Sequence, residues 1–168
     1  MIVTKIGGFM RFLLLASLLL PSAGWAACAS ETILACQIGS KQLDVCLDKD
    51  TVSYRFGPKG APELTLSDPL ASVAFTPWPG VGGSMWQSVS FTNGDVTYEV
   101  WDSIERNPEA TEPRAGGINV MRGDTSLARL NCNRGSVEGS VDLLYDSKLA
   151  IGQCWDRTNV VWGACPRN

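Results

Sequence analysis

Histidine is missing altogether from this 168-residue chain. Its absence excludes the Ser–His–Asp triad, the Cys–His pair and every zinc site that needs an imidazole. There is no C-x-x-C pair either, so neither a thioredoxin-like redox centre nor a zinc ribbon is written here. No apolar run reaches the ~20 residues that a membrane-spanning helix requires. Positive charge is in short supply, with 14 Lys+Arg against 17 Asp+Glu. An acidic balance argues against nucleic acid or an anionic membrane as partner and favours a cationic one. Ser84 and Ser88 have no base to activate them. The expectation is a protein that is not an enzyme and takes no cofactor and no metal.

What is present begins with an export signal. Lys5 and Arg11 precede the apolar run Phe12–Leu20, followed by Pro21 and the small residues Ser22-Ala23-Gly24. That is the order of a secretory leader. Gly24 and Ala26 suit its cleavage site, so residues 1–26 read as a removed signal peptide and 27–168 as one domain. Met10 offers a second start. Cleavage leaves 142 residues and removes two cations and no anion, which takes the net charge from −3 to −5.

All six cysteines lie beyond the leader: Cys28, Cys36, Cys46, Cys132, Cys154 and Cys165. An even number behind a signal peptide implies a disulfide framework in an oxidising compartment, here periplasmic or secreted. Cys154–Cys165 is the expected local bridge, and Cys28 is expected to pair near Cys36 or Cys132. A lipidated Cys28 is the lesser alternative, because Trp25 fits a lipobox poorly and lipidation would strand five thiols.

Alternating apolar and polar residues predict strands through most of the domain. Residues 32–36 and 43–47 flank a turn at Gly39-Ser40-Lys41. Residues 51–56 and 62–67 form the next pair, with Val52 opposite Leu66, Tyr54 opposite Leu64 and Arg55 opposite Glu63. Asn93-Gly94 predicts a two-residue hairpin turn. Counting outward from it puts Val89, Phe91, Val96, Tyr98 and Val100 on a core face. Trp86 then stands opposite Trp101 on the other face, with Ser88, Ser90, Thr97 and Glu99. Strands at 117–121 and 126–132 meet at Gly123-Asp124, so Arg122-Gly123-Asp124 reads as a turn before it reads as an adhesion motif. A short helix is predicted within 138–149. The fold expected is all-β, an antiparallel barrel or sandwich of about eight short strands with that helix near the C-terminus.

The pattern Cys36…Gly39…Lys41…Val45-Cys46, then Tyr54-Arg55-Phe56-Gly57 and Phe91-x-Asn93-Gly94, resembles a family of small secreted proteins of Gram-negative bacteria. That resemblance spans roughly residues 33–132 and implies export without implying an activity. In size and strand count the domain is also similar to the C-type lysozyme inhibitors. Their inhibitory loop carries a Ser-Gly element, and this chain contains no Ser-Gly dipeptide.

The candidate binding residues are aromatic and acidic. Trp78 is held between two prolines in a Gly-rich loop, and with Trp86 and Trp101 it forms a proposed patch rimmed by Asp95, Glu99 and Asp102. The competing expectation is that Trp155 and Trp162 of the C-terminal segment cover Trp86 and Trp101. Asp142 with Asp146, four residues apart, and Asp95 with Glu99 on one strand face are the paired carboxylates that a hydrolase would need. These features point to a non-catalytic binding protein, an inhibitor or immunity-type protein for a cationic, lysozyme-like cell-wall hydrolase. The alternative is a carbohydrate- or peptidoglycan-binding module that uses the tryptophans.

Overall fold

The computed structural model describes residues 28–107 and 109–166. The predicted leader and its cleavage site lie outside the described residues. Within them the apolar alternation becomes two five-stranded antiparallel sheets. In the first, β1 (Glu31–Ile38), β2 (Lys41–Asp48), β3 (Thr51–Gly57) and β4 (Leu64–Pro69) follow one another. The second runs through β5 (Ala74–Thr76), β6 (Ser84–Asn93), β7 (Val96–Glu105), β8 (Arg114–Arg122) and β9 (Thr125–Asn131). The chain then returns to the first sheet, where the two-residue β10 (Glu138–Gly139) joins the free edge of β1. Helix α1 (Leu143–Ala150) and a separate hairpin, β11 (Gln153–Asp156) with β12 (Val161–Ala164), complete the domain. The described strands number twelve rather than about eight, because the pieces of two to four residues are too short to show a period.

The two sheets form a sandwich over one core. Leu34, Leu43, Val45, Val52 and Tyr54 of the first sheet are buried with Val89, Phe91, Val100 and Ile118 of the second. Tyr54 joins the layers, its ring centroid 5.8 Å from that of Phe91 and 5.7 Å from that of Tyr98. Each such side chain contributes ~1.5–3 kcal/mol by leaving water, which is why inward positions tolerate so few polar residues.

Both predicted hairpin registers are off by two residues, a slip that preserves the faces. Tyr54 stands opposite Leu66, and Arg55 opposite Thr65. Glu63 therefore does not face Arg55 across the ladder; it pairs with Lys41 at 2.5 Å. At the other hairpin the turn is centred on Gly94-Asp95, with Asn93 opposite Val96. Gly94 takes the left-handed conformation (φ +62°) that this tight turn needs. Phe91 thus faces Tyr98, and Val89 faces Val100.

Three disulfides join Cys28 to Cys46, Cys36 to Cys132 and Cys154 to Cys165, leaving no free cysteine among the described residues. That framework belongs in an oxidising compartment. The expected pairing of Cys28 near Cys36 or Cys132 is corrected: its partner is Cys46 on β2, the strand next to β1, which Cys28 precedes. With its sulfur in that bond, Cys28 has no thiol for a lipid. No helix among the described residues is long and apolar enough to cross a membrane.

Helix α1 turns Leu144 and Lys148 inward. Lys148 is 1% exposed, and no carboxylate pairs with it among the described residues. Its ammonium donates to the Leu70 carbonyl at 2.8 Å and to Gln153 Oε1 at 3.2 Å, and lies 5.3 Å from the centre of the Trp162 ring. Burial pushes its pKa below the usual 10.5. The unfolded chain therefore holds this proton to higher pH than the folded one. Stability should rise with pH between the lowered value and 10.5, and Lys148→Met should flatten that rise in urea titrations across the alkaline range.

Candidate functional site

The outer face of the second sheet carries three of the five binding residues read from the sequence, without forming the patch expected of them. Trp101 stands opposite Ser88, and Trp86 opposite Ser103, so the two indoles are diagonal neighbours rather than a facing pair. Trp86 is 40% exposed. Trp101 is half-buried with the Arg129 guanidinium 5.4 Å from its ring centroid, and its indole N–H finds no acceptor. Glu99 accepts from Asn119 Nδ2 at 2.8 Å. Asp95 lies at the hairpin tip in an exposed ion pair with Arg122 Nε at 2.9 Å. Seven strand residues separate Trp86 from that tip, about 23 Å at the usual rise. Asp95 is therefore no rim to these tryptophans. The C-terminal segment does not cover them either: Trp162 donates to the Phe75 carbonyl at 2.8 Å and packs against Phe75 and Tyr145.

Asp102 is corrected more sharply. Its register partner is Gln87, and both point inward, below Val89 and Val100. The carboxylate accepts from Gln87 Nε2 at 2.9 Å and from the Val141 N–H at 3.0 Å, with Ser140 as a further partner. This junction fixes the segment entering α1 against the end of the second sheet. Gly139 lets β10 approach closely enough for it, since a Cβ there would collide with the Ile33 carbonyl. Burial pushes the Asp102 pKa above 3.8, outweighing its hydrogen bonds and the nearby Arg114 charge.

That junction opens onto a cleft of about 270 Å³ lined by Trp78, Met85, Gln87, Ile104, Ser140, Asp142, Leu143 and Asp146. Trp78 is thus separated from Trp86 and Trp101 and brought instead to the acid pair of α1. The loop that carries it is pinned: its indole N–H donates to the Val81 carbonyl at 3.0 Å, and Arg106 reaches the Gly82 carbonyl at 3.3 Å. The Arg106 guanidinium also lies 5.7 Å from the centre of the Trp78 ring.

The hydrogen-bonding capacity of this cleft is one-sided. Its donors are spent, Trp78 Nε1 on Val81, and Gln87 Nε2 on Asp102 and on Ser140 Oγ at 2.8 Å. Its acceptors are not. Asp142 occupies the N-cap position of α1 yet makes no side-chain cap bond, and neither it nor Asp146 is paired with a cation among the described residues. Burial, and then the Asp146 charge, push the Asp142 pKa above 3.8. Met85, Ile104 and Leu143 supply apolar walls. Acceptors at the mouth and apolar walls around them suit an ammonium or guanidinium on a methylene stem.

Sequence reasoning found Trp78, Asp142 and Asp146 separately but had no means of joining them. It missed Gln87 as well. A polar residue at an inward position of an otherwise alternating strand was the available signal. No group of three His, Cys, Asp or Glu side chains among the described residues is arranged to hold a metal ion. Comparison of the chain with family models, curated proteins and solved structures gives no match in any of the three.

Proposed function

We propose that this is an exported, non-catalytic binding protein that captures a cationic protein through the Trp78–Asp142–Asp146 cleft. The observation that carries this reading is the pair of unpartnered carboxylates beside an aromatic wall whose own donors are consumed. A sugar offers acceptors and donors alike and would leave its acceptors unmet here, whereas a lysine or arginine offers only donors. The acidic domain would steer such a partner into place and raise the on-rate at low salt. A basic cell-wall hydrolase, met in the periplasm or outside the cell and held as by an inhibitor or immunity protein, fits this chemistry.

N-acetyl-argininamide titrated into the 15N-labelled protein should shift the Trp78 indole resonance and the amides of residues 142–146. Asp142→Asn with Asp146→Asn should weaken that binding at least tenfold, ~1.4 kcal/mol, without lowering the melting temperature. Because protonation removes the attracting charge, binding should also fade as the pH drops through the raised Asp142 value. Chitooligosaccharide shifting the same resonances while the arginine derivative leaves them unmoved would transfer the function to glycan binding.

A further inference from the structure

Exposed apolar side chains are concentrated on this protein. Of the eight large hydrophobics that stand exposed among the described residues, six belong to three segments: Val81 of the Trp78 loop, Leu143, Leu149 and Ile151 in and just after α1, and Val160 and Val161 of the C-terminal hairpin. These segments adjoin one another. Trp78 and Leu143 line one cleft. A Cβ built on Gly80 would lie 3.6 Å from the Arg157 guanidinium, so the hairpin reaches the loop through that side chain. Tyr145 meets Trp162 edge-on at 5.2 Å, which joins helix to hairpin. Single exposed hydrophobics need no explanation; a contiguous set does.

The tip of the hairpin is held firmly. Cys154–Cys165 closes its base. The Asp156 carboxylate accepts from the Thr158 N–H at 2.8 Å, the Asn159 N–H at 3.1 Å and Asn159 Nδ2 at 2.7 Å. Just beyond, Val160 is 65% exposed and has φ +56°, a left-handed conformation that a β-branched residue seldom adopts. Glycine would make the same turn without steric cost. A rigid tip that displays an apolar side chain loses little freedom on docking.

We infer that this three-segment edge is a protein-docking surface whose partner presents an arginine or lysine flanked by apolar side chains. The cation enters the Trp78–Asp142–Asp146 cleft, and Val81, Val160 and Val161 cover its apolar neighbours. The inference rests on the cation-binding reading of that cleft and adds the chemistry of the partner around it. Charge chooses the occupant: the acid pair beside the patch attracts a cationic side chain and repels anionic lipid headgroups.

The probe is a random dodecapeptide display library panned on the mature, disulfide-bonded protein. Selected peptides should carry one basic residue among two or more apolar ones. Val160→Gly should weaken them at least tenfold while leaving the melting temperature unchanged or higher, because glycine relieves the left-handed turn. Val161→Ser should weaken them likewise, and covers the case in which Val160→Gly fails to fold. Basic peptides lost with Asp146→Asn but indifferent to both hairpin variants would overturn the docking surface and leave the cation cleft standing. Peptides without a basic residue, or no enrichment at all, would overturn both.

Discussion

Replacing Cys36 and Cys132 together by alanine should destabilise the protein by about 4–5 kcal/mol, the loss expected from releasing a loop of roughly a hundred residues. The bridge spans 96 positions and fastens β1 of the first sheet to the residue following β9 of the second. Every strand from β2 to β9 lies inside that loop, so the unfolded chain gains most of its freedom when the bond is removed. Cys154–Cys165 spans only 11 positions, and its removal should cost about 3 kcal/mol by the same chain-entropy relation. Urea unfolding of the two double variants against the parent protein measures the difference. Equal losses would show that loop closure is not the source of the stabilisation.

The second large effect is expected at Asp102. Asp102→Ala should cost about 2–6 kcal/mol, at ~1–3 kcal/mol for each of the two buried donors it leaves unsatisfied. It leaves the Val141 N–H and the Gln87 amide without the acceptor they share, at the point where β10 and α1 are fixed to the second sheet. Asp102→Asn keeps an oxygen for Val141 and should cost far less near neutral pH. The pH dependence separates charge from hydrogen bonding. Because burial raises the folded pKa above 3.8, the folded protein holds this proton to higher pH than the unfolded chain. The contribution of Asp102 is therefore fullest at or below the usual carboxylate range and is lost as the pH rises through the raised value. The stability difference between the parent protein and Asp102→Asn, followed by urea titration across the acid range, should change in that sense. A difference independent of pH would contradict the raised pKa.

The strands, the faces of the long hairpins and the existence of one short helix were legible along the chain. A period of two survives a register slip of two, so Val89 and Phe91 were set inward and Ser88 and Ser90 outward even though Trp86 was matched to the wrong residue. Register was less legible because the turn could be centred on Asn93-Gly94 or on Gly94-Asp95, and glycine satisfies either. The one-residue shift in the turn centre became two residues along the partner strand and parted Trp86 from Trp101.

By itself, then, the sequence determined an all-β domain with a disulfide framework, without an imidazole, and with acid in excess, since composition and period are properties of the chain alone. Only the tertiary structure decided that Cys28 pairs with Cys46, that Asp102 lies in the interior, and that Trp78 stands with Asp142 and Asp146. Those residues are separated by as many as 68 positions. They meet because β10 returns across the sandwich to the first sheet and Asp102 holds the following segment on the second. That is a long-range closure, set by one buried carboxylate and a close backbone approach at Gly139, and no local pattern encodes it.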